Sequence, residues 1–240
     1  MSFNLEQQPF SVVDRMSDGL RAYFARVYNY MAGGLALSGL TAWLAVRDPF
    51  FGWFYRITPQ GITYSLIGWL AILAPLILVF MISSSLGRQN TNRAKGLFWL
   101  FSALMGISLS NIFLLYAQAS IVQAFIATAG MFAGISLYGY TTGRSLASWG
   151  SFLMMGLFGV ILASVVNIFV GSSTFAFGLS VVMVFIFVGL TAYDTQKLKF
   201  MYRENDDALN QTTAIAGALS LYLDFINMFR LVLYFIGDRK

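Results

Sequence analysis

Two aspartates, Asp194 and Asp224, are the carboxylates that fall within the long apolar stretches of this 240-residue chain. If those stretches cross a membrane, each charge costs at least ~2.5–3.5 kcal/mol at the bilayer centre, which makes a retained acid a candidate for function. Asp194 lies in Gly189-Leu-Thr-Ala-Tyr-Asp-Thr-Gln-Lys197, near one end of its stretch. Lys197 follows three residues later on the same helical face, so an interfacial ion pair is the structural alternative for Asp194. Asp224 sits midway along its stretch with no basic residue at a helical neighbour position. Thr213, Gly217, Ser220, Asp224 and Asn227 recur at spacings of four, three, four and three, which places a small and polar stripe on one helical face. Such a face belongs in a bundle interior or on a water-filled path, with Ser220 and Asn227 as its polar neighbours. Arg230 continues near the stripe, six residues beyond Asp224.

Facing each other across neighbouring helices, the two aspartates form a coupled pair that titrates as a unit, because two like charges in a low-dielectric site cannot both ionise cheaply. The chain has no histidine, so proton sensing near neutrality falls to such carboxylates. Doubly ionised, the pair offers hard oxygen ligands suited to transient Ca²⁺. No resident cofactor is expected, and the absence of cysteine excludes disulfides and thiolate metal sites. Asn111 and Asn167 are expected to bridge helices. The acidic run Glu204-Asn-Asp-Asp207 lacks the ligand spacing and glycine of a calcium loop and reads as a solvated turn. Pairing carries a geometric condition: Asp194 is near a helix end and Asp224 at a helix middle. The last helix must therefore begin inside a vestibule, or its predecessor must run past Asp194 at an angle.

The elements that position these residues follow from composition. The chain is 58% hydrophobic and 10% charged, against about 25% charged in a soluble domain. Too little polar surface remains to coat a globule, so lipid must cover most of it. The fold class is an all-α integral membrane protein. Scanning for stretches of about 20 apolar residues gives a seven-transmembrane-helix bundle, with spans near Val27–Val46, Ile62–Ser84, Gly96–Ala117, Ile121–Thr141, Trp149–Val170, Phe175–Lys197 and Thr213–Ile236. The polar stripe makes the last helix central. Residues 1–26 read as a cytoplasmic N-terminal leader and 27–240 as one transmembrane domain. With the N-terminus inside, Arg15, Arg21, Arg26, Arg88, Arg93, Lys95, Arg144, Lys197, Lys199 and Arg203 lie inside, against Arg47, Arg56, Arg239 and Lys240 outside. A re-entrant last segment would satisfy the same charge distribution. The net charge of +5 fits anionic lipid headgroups rather than nucleic acid.

Small residues mark close helix contacts in membranes. Gly130 and Gly134 form a direct GxxxG, and Gly33, Gly34, Gly39, Gly156 and Gly159 are similar candidates. Packing inside the bundle is the expected use, and a dimer seam is the alternative. Pro75 removes a backbone donor from the second span and should kink it.

The segments Gly189–Lys199 (GLTAYDTQKLK) and Ala218–Leu233 (ALSLYLDFINMFRLVL), with AGMFAGISLYGYTT ending at Thr142, resemble the Bax inhibitor-1, or transmembrane Bax inhibitor motif, family and its bacterial inner-membrane branch. The resemblance covers nearly the whole chain. It implies seven helices with the last surrounded by the other six, and a pH-sensitive calcium leak controlled by a di-aspartyl pair, here Asp194 and Asp224. It also implies an arginine latch on the first aspartate, for which Arg88 is the nearest match. A glutamate carried by some relatives in the second helix has no counterpart, since that span contains no acid.

Two functions therefore stand as expectations. One is a cation leak gated by protonation of the pair. The other is a non-conducting regulator of membrane-protein partners, such as a membrane protease or a stress pathway, acting through helix contacts. Catalysis is not expected: an intramembrane aspartyl protease would need a glycine-flanked second aspartate, and Asp224 follows Leu221-Tyr222-Leu223.

Overall fold

A computed structural model describes residues 18–88 and 90–240. The leader expected over residues 1–26 lies outside the described residues as far as residue 17, and Arg15 with it. The chain begins with α1 (Asp18–Ala45), a short α2 (Phe51–Phe54) and a hairpin of β1 (Tyr55–Thr58) and β2 (Gly61–Tyr64). There follow α3 (Leu66–Gly87), α4 (Thr91–Leu109), a short α5 (Asn111–Leu115), α6 (Gln118–Thr141), α7 (Ala147–Val170), α8 (Ser173–Met201) and α9 (Asp207–Ile236).

Helix boundaries follow side chains that satisfy the free backbone N–H groups of a first turn. Ser65 caps α3 by accepting from the Gly68 N–H at 3.0 Å, Asn90 caps α4 from Arg93 at 3.1 Å, and Asp206 caps α9 from Leu209 at 2.9 Å. α7 stops at Gly171, which turns left-handed with φ 68°. Among the described residues six stretches are long and apolar enough to cross a membrane: α3, α4 with α5, α6, α7, α8 and α9. The helix α1 is 28 residues long but is not among them, being diluted by Tyr28, Asn29, Tyr30, Gly33, Gly34, Ser38 and Thr41.

Helix starts differ from the sequence expectation: α1 begins at Asp18 rather than near Val27, and α9 at Asp207 rather than near Thr213. The second span does not start at Ile62, because Ile62 pairs with Ile57 in the antiparallel hairpin. Gly61 supplies the positive φ, 124°, that lets the chain reverse there, and Thr58 Oγ1 donates to the Gly61 carbonyl at 2.8 Å. The hairpin is pinned to the bundle by Tyr55, whose hydroxyl shares a 2.6 Å hydrogen bond with Ser110. Burial pushes this phenol up to about 12, with the Ser110 bond opposing part of the rise. The last segment, for which a re-entrant course also stood open, is a single unbroken helix of 30 residues.

Helix α9 packs against α1, α4, α6 and α8, and touches α3; α7 packs on α8, and α3 on α4. The main cluster of buried side chains gathers Tyr222, Phe225, Leu221 and Ile215 of α9 with Phe98 and Phe101 of α4, Val27 and Met31 of α1 and Phe132 of α6. A second joins Leu153 and Val160 of α7 to Ile186 and Leu190 of α8 and Met228 of α9. α1 and α4 approach so closely that a Cβ on Gly106 would collide with the Ser38 carbonyl. Ser38 in turn lies 2.6 Å from the Ser102 carbonyl and 2.6 Å from the Tyr222 hydroxyl, tying α1, α4 and α9 at one point. Gly33 and Gly34 pack as expected, against Trp99 and against Phe98 with Ser102. The GxxxG of α6 does not. Both Gly130 and Gly134 are exposed, with no atom within 4 Å of the space a Cβ would take. That motif faces outward because α6 turns Ala124, Thr128, Phe132 and Ser136 toward the bundle instead.

Candidate functional site

The antiparallel register of α8 and α9 places the two aspartates near each other. Thr191 on α8 donates a 3.6 Å hydrogen bond to the Met228 sulfur on α9, and Leu198 packs directly on Gly217, where a side chain would collide with it. Between these contacts, Asp194 lies opposite the stretch from Ser220 to Asp224. Its carboxylate has the Ser220 hydroxyl and the Lys197 ammonium as neighbours, and it is itself the charged neighbour of Asp224. Asp194 is half-buried, whereas Asp224 is 5% exposed. The Oδ2 of Asp224 is buried with no hydrogen-bond partner.

The depth condition is met by helix length. α8 runs seven residues past Asp194, to Met201, and α9 begins at Asp207, 17 residues before Asp224. Both exceed the roughly 20 residues one crossing needs, so their overhang absorbs the mismatch. None of the stripe residues Thr213, Gly217, Ser220, Asp224 and Asn227 is exposed. Asn227 uses its Nδ2 to donate to the Leu223 carbonyl at 2.8 Å.

Polar ties hold both helices. Ser136 on α6 and Thr195 on α8 share a 3.2 Å hydrogen bond. The side chain of Gln196 accepts from the Leu146 N–H at 2.7 Å and donates to the Arg144 carbonyl at 2.8 Å, gripping the turn between α6 and α7. The start of α9 is fixed by the Arg26–Asp207 ion pair at 3.0 Å and by a 2.7 Å bond between Thr91 and Thr212. Asn210 bonds both the N–H and the carbonyl of Arg203, at 3.0 and 2.7 Å. Arg26–Asp207 is the one ion pair among the described residues. Arg88 stands exposed at the C-terminal cap of α3 and forms no ion pair with Asp194.

Chemically, the pair can hold or release a proton away from bulk water, where Asp224 Oδ2 has no other donor. As a cation site it would be sparse: among the described residues no three acidic, histidine or cysteine side chains gather. Calcium takes six to eight oxygens, so two carboxylates and Ser220 would leave most of its shell to water. Sequence reasoning missed Arg26, Asp207, Ser38 and Tyr222. Their partners are as much as 181 and 184 residues away, and no local pattern announces such pairs.

A mostly helical membrane bundle with an acid on each of its last two helices is the class that fold and site define. The sequence model described as "Inhibitor of apoptosis-promoting Bax1" matches residues 20–240. The chain is 43% identical over 227 residues to the inner membrane protein YbhL of Escherichia coli strain K12, covering 92% of this chain and 94% of YbhL. It is 40% identical over 225 residues to a protein of Rickettsia prowazekii (93% and 92% covered), and 35% identical over 226 residues to YrjE of Lactococcus lactis (94% and 94% covered). The chain belongs to the Bax inhibitor-1 family.

Proposed function

We propose that this protein is a pH-sensitive leak for calcium or a similar cation, gated by the Asp194/Asp224 pair. The observation that carries the reading is the buried, partnerless Oδ2 of Asp224 beside a second carboxylate. An uncompensated buried charge costs several kcal/mol per ion, and one proton held between the carboxylates removes one of the two charges. Losing or gaining that proton changes the electrostatic balance between α8 and α9 and biases them between closed and open arrangements. The cleft between α6, α7 and α8 and the cleft beside the far half of α9 are not lined by either aspartate. On this reading the present arrangement is the closed one, and Arg88, exposed at the end of α3, is free to engage Asp194 in another state. The bundle counts seven crossings, with α1 as the first despite its polar dilution and α9 set among α1, α3, α4, α6 and α8. The N-terminus is cytoplasmic, as the basic residues favour, and the membrane is a bacterial inner membrane, as the name of YbhL suggests.

The test is calcium flux into liposomes containing the purified protein as a function of pH, beside Asp194→Asn and Asp224→Asn. The expected result is a pH-dependent flux whose pH control is lost in both variants. No flux above protein-free liposomes at any pH, with folded and inserted protein, sinks the leak reading. One observation favours the second reading, a regulator of partner membrane proteins: Gly130 and Gly134 present an unfilled small-residue face to the outside of α6. On that reading Gly134→Leu abolishes the regulatory effect while flux is absent throughout.

A further inference from the structure

At the end of the bundle where α9 finishes, Arg230 stands in a cleft of about 700 Å³. Helices α3 and α8 lean on α9 from either side without forming a packed interface with each other, and the cleft occupies the gap between them. Its polar lining includes Tyr64, Ser108, Asn111, Ser180, Asn227 and Arg230, and no carboxylate lines it. Arg230 is exposed, forms no ion pair among the described residues, and acts electrostatically on the Tyr64 phenol across the cleft. Nearby, the Arg239 guanidinium lies over the rings of Tyr116 and Tyr234, both of which also line the cleft. Asp238, next to Arg239 in the chain, forms no ion pair among the described residues.

An arginine on a membrane-spanning helix normally finds a counter-charge, because leaving it unpaired is costly. Its planar fork matches the paired oxygens of a phosphate or carboxylate. Ser108 and Asn111 make no side-chain hydrogen bond among the described residues, so an –OH and an –NH₂ are free to donate beside the guanidinium. At the mouth, Leu76 is 63% exposed and Leu115 53% exposed, giving apolar walls on which acyl chains could lie. Basic pockets between membrane helices are suited to anionic headgroups for these reasons.

We propose that this cleft is a binding site for an oxyanion, a phosphate or carboxylate carried on a lipid headgroup or on a free solute, with Arg230 as its counter-ion. The site is separate from the aspartate pair, and its test uses no flux measurement, so it stands or falls apart from the leak reading.

The experiment compares thermal unfolding of the full chain in nanodiscs of phosphatidylcholine with nanodiscs also containing phosphatidylglycerol. A second arm compares sodium phosphate with sodium chloride at equal ionic strength in detergent. Wild type, Arg230→Gln, Arg230→Lys and Ser180→Phe are run in parallel; Ser180→Phe fills the cleft and leaves Arg230 in place. The expected result is a rise in Tm of about 2–4 °C for wild type with at least one oxyanion. That rise is lost in Arg230→Gln and Ser180→Phe and partly kept in Arg230→Lys. A shift with phosphatidylglycerol alone assigns the site to lipid, and a shift with phosphate assigns it to a soluble anion. No shift in either arm overturns the proposal, as does a shift of equal size in wild type and both cleft variants. Should Arg230→Gln fail to fold, Ser180→Phe against wild type decides the matter alone.

Discussion

Helices α7 and α9 are both membrane-length, yet half of the most apolar window of α9 is buried in the bundle (50%) and only 11% of that of α7. The more apolar helix is the less buried one, the reverse of what a soluble protein would show. Around α7 the solvent is lipid, so Phe158, Leu162 and Phe169 stand exposed to it at no cost. Around α9 the neighbours are other helices, and polar and small residues serve to bring them close. Burial in this protein thus tracks the polar stripe rather than hydrophobicity.

The contrast can be broken in order of expected size. Phe225→Ala on α9 removes a ring that is 3% exposed and packs edge-on against Phe125 and Phe132; it should cost about 3–5 kcal/mol, read as a large fall in Tm. Phe158→Lys near the middle of α7 should cost roughly 2.5–3.5 kcal/mol of insertion, read as lost membrane-integrated yield, while Phe158→Leu should change Tm by less than about 0.5 kcal/mol equivalent. If Phe158→Leu proves as harmful as Phe225→Ala, the lipid-facing assignment of α7 is wrong. Smaller still, Tyr222→Phe deletes the hydroxyl bonded to Ser38 and should cost about 0.5–1.5 kcal/mol. Combined with Ser38→Ala it should add less than the sum of the two single changes, because both break the same bond.

Much of this was legible in the sequence, and for definable reasons. Long apolar runs located the helices, though α1 and α9 start well before the expected Val27 and Thr213, since a bilayer imposes a minimum length but not where a helix begins beyond it. The stripe from Thr213 to Asn227 was legible because its period is that of one helix. What escaped depended on partners. The strand from Ile62 to Tyr64 is apolar enough to read as the start of a span, and only its cross-strand pairing distinguishes it. A GxxxG states that a neighbour can come close but not that one does, so Gly130 and Gly134 were assigned a contact that α6 directs elsewhere. The depth of Asp194 relative to Asp224 depended on how far α8 and α9 overrun a single crossing, which the end of α8 at Met201 and the start of α9 at Asp207 settle only once the fold is known.

The amide of Gln196 has a mechanical consequence. Its two ends grip the two sides of one turn, the Arg144 carbonyl and the Leu146 N–H, and it sits two residues from Asp194 on the same rigid helix. A twist of α8 large enough to turn Asp194 away from α9 would carry Gln196 along and either drag that turn or release it. The turn between α6 and α7 is thereby geared to α8 like a pointer to its dial. A probe on the exposed Ser145 would display at the membrane surface a motion that begins among buried side chains.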